Sequence, residues 1–195
     1  MASNYHGLIH SSTHKPSTYI NIMFYTILFL IVYQSLHMTD HLLQYYERYV
    51  LKMSPPPGLF EGLFNASDTT VHLWLNGIEY VVILIIAISF FKSFRFIKMN
   101  QHRPYSLLIL QYTIIFLAIY QSLHVIDHIF QYYQLYVLKM SSPPALFEGA
   151  FNESDTIIHA WINGILIVSS FTIWIAFSRS KLRKKMKQDL LRKKL

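Results

Sequence analysis

Two short segments of the chain carry histidine and aspartate at the point where an apolar run ends. They read SLHMTDHLLQYY from Ser35 and SLHVIDHIFQYY from Ser122. Both contain the pattern H-x-x-D-H-x-x-Q, whose residues lie on one face of an α-helix because they are three and four apart. Two imidazoles one turn apart can bind a first-row metal ion, and the carboxylate between them can complete the ligand set. The candidate ligands on these faces are His37, Asp40, His41, His124, Asp127 and His128.

A third histidine stands near the start of the apolar run that follows each segment. The two polar series at these starts have i, i+4, i+8 spacing and are Asp68, His72, Asn76 and Asp155, His159, Asn163. If each pair of runs forms a helical hairpin, three histidines converge in each half of the chain. We therefore add His72 and His159 to the candidate ligands, so that six of the ten histidines are used.

The donor types restrict the cofactor to a transition metal ion. Imidazole suits Cu, Zn or Fe, whereas Ca²⁺ and Mg²⁺ prefer oxygen ligands. The chain has no cysteine, which excludes thiolate sites and disulfides. Haem between two imidazoles is less favoured, because the helices lack the small residues that make room for a macrocycle. The two sites could be separate centres about 10 Å apart, the width of a packed helix pair, or they could merge into one six-histidine dinuclear site. Without metal, the same residues would be a hydrogen-bonded network between helices.

Further polar residues are predicted to support the ligands. Hydrogen bonds that orient the imidazoles are expected from Gln44, Asp68, Asn76, Gln131, Asp155 and Asn163. Glu79 lies two turns beyond His72 on the same face, inside an apolar run. A carboxylate at such a position is a functional candidate by default, here a proton relay. The alternative is a protonated Glu79 bonded to a neighbouring helix.

The elements that must position these residues are membrane helices. Hydrophobic residues make up 53% of the chain and charged residues only 14%, against about a quarter in soluble domains. Runs of roughly 20 apolar residues cross a bilayer, and the chain has four, at Tyr19–Leu36, Val71–Phe91, Tyr105–Leu123 and Ile157–Phe177. The first helix should continue to Met53, because prolines follow. Leu59, Phe60, Leu63 and Phe64 have the spacing of a short interfacial helix.

The two halves of the chain are similar at an offset of 87 residues. Residues 29–77 and 116–164 are identical at 33 of 49 positions, whereas 78–91 and 165–178 share only 5 of 14. The sequence therefore predicts an all-α polytopic membrane protein with four transmembrane helices as two tandem repeated hairpins. We divide the chain into a polar tail 1–18, a first hairpin 19–98, a linker 99–104, a second hairpin 105–178 and a basic tail 179–195.

Charge distribution predicts the orientation in the cell membrane. Fourteen of the 17 lysines and arginines fall in the two tails and the middle linker region, and eight of the ten acids fall at the other ends of the runs. Basic residues mark cytoplasmic loops, so both termini should be cytoplasmic and the histidines should lie at the outer face. Asn65 and Asn152 begin sequons on that outer side and are candidate glycosylation sites. The first run should act as an uncleaved anchor, since no cleavable signal precedes it.

The pattern at His37–Gln44 and His124–Gln131 resembles that of small prokaryotic multi-pass membrane proteins with H-x-x-E-H-x-x-Q. The resemblance covers one helix in each half and departs at the acid, where this chain has Asp. It implies a membrane protein and no particular chemistry.

The leading functional hypothesis is a metal-binding subunit, accessory or cofactor-carrying, of a larger membrane oxidoreductase or monooxygenase complex, with copper as the leading metal. The alternatives are a metal transporter or metallochaperone, a stand-alone di-metal membrane oxygenase, and a haem-binding or purely structural subunit. Whether the chain is itself an enzyme stays open. The expected partners are the lipid bilayer and other membrane subunits or further copies of the chain. Nucleic acid is not expected, because the topology already explains the basic charge.

Overall fold

A computed structural model describes residues 16–54, 58–65, 67–94, 104–141, 146–151, 155–180, 182–184 and 188. Six α-helices are present in these segments: α1 (Pro16–Tyr49), α2 (Gly58–Phe64), α3 (Asp68–Phe94), α4 (Tyr105–Tyr136), α5 (Leu146–Phe151) and α6 (Asp155–Arg179). α1, α3, α4 and α6 are long and apolar enough to cross a membrane. The prediction of an all-α fold with four spanning helices is confirmed. Large apolar side chains such as Val32, Trp74, Ile119 and Val168 are exposed on the outside of the bundle, as expected for surfaces that face lipid.

The four long helices form a closed ring. α1 packs against α3 and α6, and α4 packs against the same two helices. Each long helix therefore has one neighbour from its own hairpin and one from the other hairpin. This arrangement turns one face of every long helix toward a common interior.

α1 ends before the sequence pattern predicts, and α4 ends with the same geometry. α1 stops at Tyr49, four residues short of Met53, because Lys52 adopts a left-handed conformation with φ 58°. The Met53 N–H then donates to Glu47 O. Lys139 has φ 57° after α4, and the Met140 N–H donates to Gln134 O in the same way. A left-handed residue after the last turn satisfies carbonyls that the helix leaves free.

The two short helices lie at the end of the bundle opposite Pro16 and Arg179. α2 confirms the short helix that its apolar spacing predicts. α3 begins at Asp68 behind Ser67, whose Oγ accepts the Thr70 N–H at 3.4 Å.

The interior divides into a polar half beside α2 and α5 and an apolar half toward the termini. In the apolar half, fully buried side chains from all four long helices form the core, among them Met23, Ile86, Leu110 and Phe177. In the polar half, the buried residues are the histidines, glutamines and asparagines that the sequence pattern singles out. The bundle thus holds its polar residues away from lipid and on an apolar base.

Candidate metal centre

Each hairpin brings three fully buried histidines together. His37 and His41 of α1 meet His72 of α3, and the ligand nitrogens of this first triad lie within 4.8 Å of one another. The second triad consists of His124, His128 and His159 and meets the same distance limit. These two triads could each hold a metal ion, as the helical spacing predicts.

The hydrogen-bond partners of His41 and His72 determine that the proton of each neutral ring lies on Nδ1. The Gln44 amide donates to Asp68 Oδ1 at 2.7 Å, which turns Gln44 Oε1 toward His41 Nδ1 at 3.1 Å. Since that oxygen can only accept, His41 carries its proton on Nδ1. His72 Nδ1 lies 3.0 Å from Asp68 Oδ1 and 2.9 Å from Asp68 O, so it also donates. In the neutral rings, Nε2 of both residues is then an unprotonated acceptor that can bind a metal ion.

The second triad repeats part of this pattern. His128 Nδ1 donates to Gln131 Oε1 at 3.1 Å. Its Nε2 lies 3.2 Å from Nε2 of His124 and 3.2 Å from Nε2 of His159. In the first triad, His37 Nε2 and His41 Nε2 are also 3.2 Å apart. Nitrogens bound tetrahedrally to one metal ion at 2.0–2.1 Å are about 3.3–3.4 Å apart, so this spacing suits a shared ion.

The two triads form one cluster of six histidines. The rings of His41 and His159 have centroids 5.5 Å apart, and those of His72 and His128 are 5.8 Å apart. Both contacts cross from one hairpin to the other. The two triads are therefore in ring contact with each other, closer than the separation of about 10 Å expected for separate centres.

Two aspartates within the histidine pattern hold the short helices over the cluster. Asp40 Oδ1 accepts the backbone N–H groups of Leu59 and Phe60 in α2. Asp127 Oδ1 accepts those of Leu146 and Phe147 in α5. The second oxygen of Asp40 lies 3.7 Å from His72 Nε2. The sequence pattern proposes both aspartates as ligands, whereas their observed contacts are mainly those of helix caps.

Glu79 lies directly behind the first triad. Its Oε2 is 3.8 Å from His37 Nδ1 and 3.5 Å from the Gln121 amide nitrogen, and the side chain is fully buried. Leu166 takes the equivalent position in the second hairpin and is also fully buried. The two triads therefore differ in the group behind them, a carboxyl in the first and an apolar side chain in the second.

Amide side chains join the two hairpins below the histidines. Gln34 donates to Asn163 Oδ1 at 2.8 Å, and Gln121 donates to Asn76 Oδ1 at 3.0 Å. Asn76 and Asn163 in turn donate to the backbone carbonyls of His72 and His159. The asparagines were expected to orient imidazoles directly, but they contact the histidine backbone. We call these two reciprocal contacts the Gln–Asn clamp.

A polar cavity of about 150 Å³ lies against four of the six histidines. Its lining also includes Arg48, Glu61 and Thr156, which the helical spacing of the histidines does not indicate. Arg48 Nη1 donates to Thr156 Oγ1 at 3.2 Å and so connects α1 to α6. Burial raises the pKa of the Glu61 carboxyl above its usual range, and the nearby Asp68 carboxylate acts in the same direction. Arg48 has no equivalent in the second hairpin, where Leu135 replaces it, so the repeat gives no signal for it.

Three predicted residues have no described side-chain role. α6 begins at Asp155, but its side chain lies outside the described part of the structure, as does Asn152. Asn65 is exposed between α2 and α3 with φ 49°. Glycosylation of both asparagines stays a prediction.

The fold and site define a class: a four-helix bundle, long and apolar enough to cross a membrane, with two adjoining histidine triads that could hold metal ions. No family model, curated protein or solved structure matches the chain.

Proposed function

We propose that the protein binds two divalent transition-metal ions, one in each histidine triad, and serves as the cofactor-carrying subunit of a membrane oxidoreductase. The observation that carries this proposal is the convergence of imidazole Nε2 atoms from both hairpins while glutamine and aspartate hold protons on Nδ1 of three rings. In each of these 3.2 Å pairs one Nε2, that of His41 or His128, is unprotonated, so either a proton on the partner ring or a bound ion must lie between the two nitrogens.

The charges around the cluster favour two ions. Glu79, Asp40 and Asp68 have carboxylate oxygens 3.8, 3.7 and 3.0 Å from histidine nitrogens. Asp127 stands next to His128 in α4. Four carboxylates, once ionised, would offset the charge of two divalent ions, which a low-dielectric interior requires.

Copper is the metal that this donor set favours. Each triad offers imidazoles alone, whereas non-haem iron sites commonly include a carboxylate ligand. Among divalent first-row ions, Cu²⁺ binds nitrogen sites most tightly. Bound copper would supply electron transfer, while the chain fixes the rings and excludes lipid. Haem is disfavoured, because the helices lack the small residues that would make room for a macrocycle.

The interior argues for a resident cofactor over a transported ion. Below the Gln–Asn clamp, the fully buried Leu30, Ile83, Leu117 and Leu166 close the bundle, and further apolar layers follow toward the termini. The buried polar side chains in these layers are neutral serines, among them Ser89, Ser93 and Ser170. A transport path for a metal ion would need charged or ligating groups there. Glu79 ends the polar region and is our candidate for moving a proton to or from the first triad.

In the part of the chain that the structure describes, little lies outside the four long helices, which supports a subunit role. Outside the four long helices, the described segments are two short helices and their connections. Such a chain would act on the lipid phase or pass electrons to other membrane subunits or a second copy. We propose an outward-facing cluster in the cell membrane with cytoplasmic termini, on the distribution of basic residues.

Metal content per chain tests the proposal. Protein purified in detergent should hold two equivalents of copper by mass spectrometry and show a visible absorption band. His72→Ala and His159→Ala should each lose one equivalent, and the double variant should lose both. All samples should carry alanine at His6, His10 and His14, so that the N-terminal histidines do not contribute.

His102→Ala is the matched control, because it removes a histidine outside both triads and should keep two equivalents. A wild-type protein that neither contains nor takes up Cu, Zn or Fe would contradict the metal centre. Two equivalents of zinc would keep the centre and contradict the redox role.

A further inference from the structure

An apolar cavity of about 540 Å³ lies between α4 and α6, beside α5. Its lining includes Phe147, Ile158, Ile162 and Ile165, with His124 and Tyr120 as the polar members. Ligand pockets commonly have such a volume and a few polar groups within apolar walls. The cavity therefore has the dimensions of a binding site for a lipid-sized molecule.

The cavity is bordered by side chains on the outer surface of the bundle. Trp161 is 71% exposed and Ile165 is 41% exposed. These residues lie within a helix that is apolar enough to cross a membrane, so this side faces hydrocarbon. A molecule would reach the cavity from the bilayer, separately from the polar cavity, with which it shares no lining residue.

The inner wall of the cavity is a histidine of the metal centre. His124 is fully buried, and its Nδ1 has no hydrogen-bond partner among the described residues. Its counterpart His37 has Glu79 3.8 Å from Nδ1. Leu166 replaces that carboxylate in the second hairpin and leaves the His124 nitrogen without an equivalent neighbour.

The tyrosines differ between the hairpins as well. Tyr33 donates to Leu75 O at 2.9 Å and so joins α1 to α3. Within the described segments, no matching bond joins Tyr120 to α6, and Tyr120 lines the cavity. Both polar residues of the cavity are thus available to a ligand.

We propose that this cavity binds a lipid-soluble carbonyl compound, with its oxygen toward His124 and its apolar body between α4 and α6. The inference rests on the proposed function in one respect: a metal ion on His124 Nε2 places the proton on Nδ1, which then requires an acceptor. A carbonyl oxygen supplies that acceptor without bringing a charge into an apolar cavity. Quinones and fatty acyl esters are two sources of this chemistry.

Photolabelling in lipid nanodiscs tests the proposal. The probe is a fatty acid methyl ester with a diazirine on its chain, and mass spectrometry locates the label. Labelling should concentrate on α4 and α6 and should fall when unlabelled methyl palmitate or a decyl-substituted benzoquinone is added. Hexadecane should compete about tenfold more weakly, because it lacks the acceptor oxygen. The better competitor of the two carbonyl compounds identifies the source.

Ile165→Trp should fill the cavity mouth and reduce the labelling of α4 and α6 about tenfold. Ile78→Trp is the matched control, since Ile78 has the same place in the first hairpin and a similar exposure of 43%. Equal loss in both variants, label spread over all four long helices, or full competition by hexadecane would each overturn the proposal.

The failure of metal binding and the failure of ligand binding in the cavity can be distinguished. The labelling is measured with metal-free and with copper-loaded protein, and copper should strengthen the competition by carbonyl compounds. Absence of bound metal together with Ile165-dependent labelling would contradict the proposed function alone. Bound copper without site-specific labelling would contradict this inference alone.

Discussion

At the scale of single residues, the hydrogen bond at Nδ1 of a histidine determines whether its Nε2 is available to a metal ion. Glutamine and aspartate accept the Nδ1 proton of His41, His72 and His128 and leave Nε2 free for the centre of the cluster. Partners of this kind fix both the tautomer and the ring orientation of metal-binding histidines. Gln44 therefore supports the first triad without being a ligand itself.

Gln44→Leu should weaken metal binding at the first triad by about 10- to 100-fold, the usual effect of removing such a partner. The lost hydrogen bond frees the His41 ring and its tautomer. Titration of metal-free protein with copper against a chelating dye should then show one tight and one weak site.

Gln131→Leu is the comparison, because it makes the same change beside His128 and should weaken the other site. Two tight sites in either variant would show that the glutamines do not hold the rings.

The residues of both triads could be predicted from the sequence, because helical spacing and a hairpin suffice to bring three histidines together. The capping role of Asp40 and Asp127 could not be predicted, since the donors are backbone N–H groups nineteen and twenty positions away. No side-chain pattern marks a backbone donor. The difference between Glu79 and Leu166 is visible in the sequence, but its placement beside His37 depends on packing.

At the scale of elements, α2 and α5 close the histidine end of the bundle. α2 is only seven residues long and is held from outside, by Asp40 on its N-terminal N–H groups and by Glu47 on the Gly58 N–H. Gly58 has φ +65°, and a Cβ there would lie 2.9 Å from Asp40 Oδ1 and from Gln44 atoms. The short helix thus packs directly on two residues of the site.

Gly58→Ala should destabilise α2 by about 1–2 kcal/mol, the cost of a left-handed conformation with a side chain. The close contact with Asp40 and Gln44 adds to this cost. Hydrogen exchange of the amides in α2 should accelerate by roughly five- to thirtyfold, as follows from that free energy.

Gly62→Ala serves as the control within the same helix. Nothing lies within 4 Å of a Cβ at Gly62, and alanine favours helix by about 1 kcal/mol over glycine. This variant should therefore slow exchange. Faster exchange in both variants would show that any added side chain disturbs α2, whatever the backbone conformation.

At the scale of the whole molecule, the ring order of the helices merges two triads into one cluster. Sequence spacing predicts contacts within a hairpin, but it does not determine which helices of different hairpins become neighbours. The contacts of His41 with His159 and of His72 with His128 depend on that order. The reciprocal Gln–Asn clamp is the sequence feature that could have indicated it, since its four residues lie on the same faces as the histidines.

The orientation can be measured directly, because the chain has no cysteine and an introduced one reports alone. Ser54 is exposed at the histidine end of the bundle and Lys92 is exposed at the opposite end, so each is replaced by cysteine in a separate variant. A maleimide that does not cross membranes should label Ser54→Cys in intact cells and Lys92→Cys only after lysis, because basic residues stay in the cytoplasm. The cysteine-free parent gives the background, and the reverse pattern would contradict the proposed orientation.

The Gln–Asn clamp has a consequence for the symmetry of the interface between the two hairpins. Gln34 and Asn76 lie in the same hairpin, yet each bonds the equivalent of the other in the second hairpin. The first hairpin alone therefore carries both halves of a self-complementary, isologous interface. Two separate copies of such a hairpin would be able to pair as a symmetric dimer and assemble six histidines without a covalent link. In the linked chain the two halves differ, since one has a glutamate behind its histidines and the other a lipid-side cavity.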